Sequence, residues 1–272
     1  MKKSIFTITA AVAAMTSFAQ TGDLVSKRGE KYLSESGDWG LTFDAQPLLN
    51  YAGNLLNGTS ENGGAALNWA NTMWAIQGKK LIDANTAYRG TVRIGFGSTK
   101  VTDLVDDVTN TDPSVTVEDV TKTSAFYLVL GGGIEKRKGS TRVVGVYGAQ
   151  ALIALGSGKT TYEYGNAINA DNPVTSRTTE EKAGSTFGFG VGVFGGVEWF
   201  CAPKISLSGE YMWGFMLNST GSGETTTEGW DPTANNGNGA LETTTTETGK
   251  SSSFGLDTSI SGLSIGLNFY FQ

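Results

Sequence analysis

The sequence has no histidine among its 272 residues. That removes the commonest general base and the commonest transition-metal ligand together. It has one cysteine, Cys201, so no internal disulfide staples the fold. The plainest role for that cysteine is none: a small residue beside a turn. Proline is scarce (5) while glycine is abundant (38), a balance that favours many closely packed strands over helices. Beyond the N-terminus no apolar run approaches the ~20 residues that a membrane-spanning helix needs. Basic charge is also short: the net charge of -6 argues against nucleic acid as a partner.

What is present starts with MKKSIFTITAAVAAMTSFAQ. Lys2 and Lys3 form a positive leader, Ile5 to Met15 a short apolar run, and Ser17-Phe18-Ala19 a small-x-small cleavage site. Residues 1–19 therefore read as a secretory signal peptide, with a buried N-terminal helix as the plainer alternative. No cysteine stands at the cleavage point, which argues against a lipid anchor. Residues 20–38 are polar and charged without a clear period, and are expected to form a periplasmic lead-in. Residues 39–272 are expected to form one domain.

The clearest pattern closes the chain. In LSIGLNFYFQ, the side chains of Leu263, Ile265, Leu267, Phe269 and Phe271 are large and apolar. Between them stand Ser264, Gly266, Asn268 and Tyr270, which are small or polar. Successive side chains of a strand point to opposite faces, so one face is greasy and the other is nearly bare. The same alternation runs through Trp39 to Tyr51, Thr72 to Leu81, Tyr88 to Gly97, Phe126 to Glu135, Arg142 to Leu155, Phe187 to Trp199 and Ile205 to Leu217. Between Arg142 and Leu155 both faces hold apolar residues, so the facing there is less sharp.

Eight strands result, joined alternately by long and short connections. The long ones are expected over about Ala52 to Asn71, Ser98 to Thr123, Gly156 to Gly184 and Asn218 to Lys250. An even strand number, short periplasmic turns and long external loops describe an eight-stranded antiparallel up-and-down transmembrane β-barrel, all-β, with both termini periplasmic. Closing the ring removes unpaired strand edges, which hydrocarbon would penalise heavily.

A family resemblance sits on named residues. Ser264, Gly266, Phe269 and Phe271 match the terminal assembly signal of outer-membrane barrels, polar-x-Gly-x-x-aromatic-x-aromatic. Gln272 departs from it, since that family usually stops at the aromatic. The plan resembles the small outer-membrane barrels of the OmpA transmembrane domain, OmpX and OmpW type. SKRGEKYLSESGDWGLTFDAQPLLNY and VEWFCAPKISLSGEYMWG look like uncharacterised outer-membrane barrels of the Bacteroidota. The resemblance implies residence in the outer membrane of a Gram-negative bacterium, among lipid and lipopolysaccharide, after assembly by the outer-membrane insertion machinery. It implies no activity. The sequence ends at this strand, so no wall-binding domain of the OmpA kind is expected.

The inward positions collect four acids, Asp44, Glu135, Glu198 and Glu210, and four bases, Lys79, Arg89, Arg93 and Arg142. Charges in a narrow lumen need partners. An eight-stranded barrel has an interior just wide enough for side chains to fill. The expected arrangement is a salt-bridge network that fills and fixes the barrel, with Phe194, Met212, Tyr127 and Tyr270 as further filling. The alternative is that the same charges line an ion pathway. Trp39, Tyr88, Trp199 and Tyr270 near one rim, and Tyr51, Trp74 and Phe215 near the other, fit interfacial girdles, to which Trp213 is added; ordinary strand packing is the alternative.

Enzyme chemistry finds little footing. The known barrel acyltransferases, deacylases and phospholipases depend on a histidine. GSGKT at Gly156 to Thr160 lacks the first glycine of a phosphate loop and falls in an expected external loop. The acidic stretch Asp103, Asp106, Asp107, Asp112, Glu118 and Asp119 offers oxygen ligands for a divalent cation, though a solvated loop explains it as well. No cofactor or metal is expected. The expected function is non-enzymatic: envelope structure, surface interaction, or an accessory subunit with protein partners in a larger envelope complex. A narrow porin-like channel for ions or small solutes is the rival. A secreted lipocalin-like barrel would require the opposite polarity, apolar inside and polar outside.

Overall fold

The computed structural model describes residues 24–45, 76–112, 114–257 and 261–272. The expected signal peptide, the first long loop, Tyr51 and Trp74 lie outside the described residues. The described chain is almost wholly antiparallel β. Its strands are β1 (Trp39–Asp44), β2 (Ile76–Asp83), β3 (Thr86–Asp106), β4 (Thr116–Lys138), β5 (Val143–Glu163) and β6 (Arg177–Lys182). They continue as β7 (Thr186–Ala202), β8 (Ile205–Thr220), β9 (Glu224–Asp231), β10 (Ala240–Glu247), β11 (Ser251–Leu256) and β12 (Gly262–Phe271).

Eight of these close a ring in the order β1, β2, β3, β4, β5, β7, β8, β12 and back to β1. The last pairing sets Trp39 opposite Phe271 and Asp44 opposite Gly266, so the two ends of the ring-forming chain zip together. The alternation seen in the sequence sorts cleanly onto the two faces. Phe187, Phe189, Val193 and Trp199 of β7 are exposed, whereas Gly188, Gly190, Gly192, Phe194, Glu198 and Phe200 are buried.

Three of the expected long loops are strand over about half their length or more. β3 and β4 run together in unbroken register from Thr86↔Lys136 to Asp106↔Thr116, leaving a connection only at 107–115. β5 continues to Glu163, so GSGKT is extended strand rather than loop. β6 and β9 carry the walls of β7 and β8 onward, and β10 pairs with β9 along its whole length. Thr dominates these extensions, with Glu next, and the β-branched Thr sustains a ladder without an apolar face. The acidic residues are placed by the same geometry. Asp103 and Asp119 face each other across the β3–β4 pair. Asp107 and Asp112 hold the turn, accepting from the backbone N–H groups of Thr109 and Ser114 at 2.9 Å each. Those bonds, led by the Thr109 and Ser114 hydroxyls, keep both carboxyls below their usual range. Among the described residues no three acids, cysteines or histidines cluster as a metal site.

The end of the ring with the short turns is capped. Leu81, Ala87, Val144, Phe200 and Tyr270 form a buried apolar cluster, and Tyr32 and Leu33 of the N-terminal segment pack against it. The cap is sewn on by backbone bonds, Leu81 N to Asp38 O and Lys204 N to Tyr32 O, at 2.9 and 3.0 Å. Lys204 Nζ grips Asp38 at 2.6 Å and Glu35 at 3.3 Å. Lys31, with Lys204 beside it, holds the Glu35 carboxyl below its ordinary range.

Glycines make the interior fit. A Cβ at Gly148 would strike the Ile134 carbonyl and approach Phe194 Cζ to 2.7 Å, whereas one at Gly132, on the outer face, meets nothing within 4 Å. Gly148→Ala is therefore expected to lose about 1–3 kcal/mol through overpacking, and Gly132→Ala to stay within ~0.5 kcal/mol of the parent. Urea unfolding of the two variants in the same lipid or detergent checks the difference. Equal stabilities would show that the interior does not constrain β5.

Candidate functional site

The site is the charged interior just above the cap. Inward positions on five ring strands supply it: Lys79 on β2, Arg89 on β3, Glu135 and Arg137 on β4, Glu198 on β7 and Glu210 on β8. Room for such long side chains comes from glycine on the neighbouring strand. Lys79 stands beside Gly40, Arg89 beside Gly133, Glu135 beside Gly148, and Glu210 beside Gly196.

The six charges form one connected network of three cations and three anions. Glu135, fully buried, reaches Arg137 at 2.8 Å, Lys79 at 3.0 Å and Arg89 at 3.5 Å. Glu210 takes Arg89 at 2.8 Å and Lys79 at 3.8 Å. Glu198, also fully buried, takes Arg137 at 2.7 Å and accepts from Tyr270 Oη at 2.6 Å and from Ser206 Oγ. Arg137 donates in turn to Tyr270 Oη at 3.1 Å. Asn268 extends the network through Ser206, Ser208 and Thr42 at 3.2, 3.1 and 2.6 Å. An apolar layer of Leu152, Phe194, Met212 and Met216 lies alongside. The Phe194 ring lies 4.0 Å from the Arg89 guanidinium carbon.

Five of the eight charged residues singled out in the sequence thus meet: Lys79, Arg89, Glu135, Glu198 and Glu210. Arg93 is half-buried, donating from Nε to Tyr127 Oη at 3.0 Å, and Asp44 is half-buried opposite Gly266 on β12. Arg142 does not belong inside. It is exposed in the β4–β5 turn, its guanidinium 3.8 Å over the Tyr32 ring of the cap. It precedes the first paired residue of β5, so alternation no longer governs its direction. Arg137 takes its place in the network. Sequence reasoning lost it to a basic turn, yet it shares parity with Glu135, and β4 runs to Lys138.

The aromatics divide as well. Trp39, Tyr88, Trp199 and Trp213 are exposed on the outer wall, and Lys80 stacks over Trp39 at 4.4 Å. Tyr270 is not one of them: it is buried in the network, on the face opposite Phe269 and Phe271. In the C-terminal motif, Phe269 and Phe271 face outward, Gly266 is buried, and Ser264 stands opposite Glu210.

Chemically the network is closed on itself. Every carboxylate meets at least one cation, and the polar neighbours are hydroxyls and an amide. The Ser206 hydroxyl does donate to the Glu198 carboxylate, but both residues are fully buried.

No family model matches the chain, and no curated protein matches it. Among solved structures, the crystal structure of a major outer membrane protein from Thermus thermophilus aligns with 87% of this chain and 100% of its own. The identity is 11% and the TM-score 0.27. A superposition that loose does not establish a shared fold.

Removing one member of a buried charge network strands the rest. Glu135→Gln is expected to cost about 3–5 kcal/mol, since three cations then face two carboxylates. Arg137→Met and Glu198→Gln should each destabilise, while the double variant loses less than their sum by roughly 0.5–3 kcal/mol. Unfolding in reconstituted bilayers measures the cycle. Strict additivity would mean that the two side chains do not share a network.

Proposed function

We propose that the chain is an integral outer-membrane β-barrel whose interior is closed by side chains, and that it serves the envelope non-enzymatically through its outer wall and its tall far end. One observation carries this: polarity is inverted. Phe189, Tyr211, Trp213 and Phe269 are on the outside, while Lys79, Glu135 and Glu198 are sealed within. A barrel in water buries its apolar face and exposes its charges; hydrocarbon around the wall reverses the preference.

Dimensions support the same reading. The outward apolar positions run from Tyr88 to Phe96 on β3 and from Phe187 to Trp199 on β7. At ~3.3 Å per residue and a tilt of ~45°, they cover about 20–30 Å, close to the apolar band of a bacterial barrel. Beyond that band the outer positions of β3, β4 and β5 turn to Ser and Lys. β4, with 23 residues, is ~75 Å long at the usual rise, far more than a membrane requires. The excess height belongs to the end away from the cap, the external end if the termini are periplasmic. A role in surface interaction or as a subunit of a larger envelope complex fits a wall built so high above a closed base.

The closed base speaks against the channel. Cap, apolar cluster and charge network lie in series across one end, and the three cations of the network are matched by its three carboxylates. Two measurements test the proposal. Lipids brominated along the acyl chain should quench the fluorescence of the protein in bilayers through Trp199 and Trp213; no quenching would remove the membrane address. In planar bilayers the protein should give no steady openings. Steady openings abolished by changing Arg93 or Glu210 would establish the pore instead.

A further inference from the structure

The outer wall carries one feature that the structural role leaves unused. Where the apolar band ends, β3, β4, β5 and the β6–β7 link form a groove of about 510 Å³. Its lower edge is the cross-strand pair Phe96 and Phe126, and Phe96 is 87% exposed. Its floor is a row of serines, Ser98, Ser124, Ser157 and Ser185. Its upper edge is Lys159 and Lys182, paired across β5 and β6, with Lys122 on the next strand and Lys100 opposite it on β3. Apolar, hydroxyl and cationic groups therefore succeed one another from the band outward.

We propose that this groove binds the phosphate-bearing headgroup of a membrane lipid, with the acyl chains lying over Phe96 and Phe126. This rests on the membrane reading above. The occupant follows from charge and depth. Hydroxyls and ammonium groups are donors suited to a phosphate, and they stand where a headgroup must sit if the phenylalanines meet its chains.

The lysines have acidic partners, and the placement of those partners matters. Lys122 pairs with Glu163, Lys159 with Glu180 at 2.7 Å, and Lys182 with Glu180 at 3.1 Å and Glu224 at 3.0 Å. Glu163 and Glu180 lie farther along their strands from the apolar band than the lysines they hold. Glu224 is level with Lys182, on the strand beyond it. A headgroup rising from the bilayer meets ammonium groups first. Exposed ion pairs of this kind are weak and exchange partners readily. The Ser124 hydroxyl has only a 3.4 Å contact to the Lys159 carbonyl to give up.

The test counts retained lipid. Full-length protein is equilibrated in mixed micelles of phosphatidylglycerol and phosphatidylcholine, and bound lipid is read by native mass spectrometry as the micelle is stripped. Two lysines near an anionic headgroup should favour phosphatidylglycerol by roughly thirtyfold. Lys159→Ser with Lys182→Ser should abolish that preference, and Phe96→Ser should lower total retention. Lys80→Ser, beside Trp39 at the capped end, should change neither. Equal retention of the two lipids, or a preference that survives the double variant, overturns the groove assignment. So does inorganic phosphate if it binds the lipid-free protein through the same lysines, for the ligand is then a free anion. Quenching by brominated lipid on the same samples separates the layers. Quenching retained without lipid preference sinks the groove alone, and quenching lost sinks the membrane reading beneath it.

Discussion

The structure depends on a charge balance that no segment of the chain holds alone. Lys79, Arg89 and Arg137 are matched by Glu135, Glu198 and Glu210, contributed by five strands across the ring. Arg89 and Glu210 are separated by 121 residues, yet they meet at 2.8 Å. Taking a charge out of water costs several kcal/mol even after relaxation, and only a close partner offsets it. A ring closed in the wrong register would leave some of these groups alone. A slip of one residue would be worse still, turning the charges onto the apolar wall. The network thus specifies which closure is allowed more than it adds to stability, since apolar packing could fill the same space.

Space for the network comes from what the neighbouring strands omit. Long side chains lean over glycines on adjacent strands, as Tyr270 does over Gly40, where a Cβ would lie 2.8 Å from the ring. The abundance of glycine and the inward charge are therefore one property seen twice. A wall of larger inward residues would have displaced the ions, and a wall of glycine without them would have left a void.

How much was legible follows the same division. The outward faces could be read directly, because apolar residues at every second position leave a period that no loop imitates. Five of the six network charges could be read from parity. Arg137 was hidden because Lys136, Lys138 and Gly139 around it look like a solvated turn. Tyr270 was given to both the lumen and the rim, because an aromatic near a strand end suits either, and it is buried in the lumen. The strand extensions were illegible for a different reason. Beyond the apolar band the few apolar residues, Val101, Leu104, Val105, Val117 and Val120, are split between both faces, so Thr99 to Asp106 and Thr116 to Thr123 carry no hydrophobic period, although their backbone ladder is unbroken. β11 escaped notice because the facing changes between it and β12. Phe254 and Leu256 are exposed at even positions, Leu263 and Ile265 at odd ones. Asp257, with φ of 56°, sits at the start of that change.

These facts distribute function over the molecule. The capped end holds its charges in mutual contact, and a group satisfied by its neighbours has little left for a substrate. The apolar band is committed to whatever surrounds the wall. What remains is the margin where the band stops, together with the polar walls beyond it. There the side chains are exposed, the ion pairs are weak, and Ser, Thr and Lys replace the residues that hold the ring. Strand β10 adds an extended edge of its own, paired with β9 on one side. On the proposed reading, recognition by this protein belongs to the outside of its walls, because the charges of its interior are spent on one another.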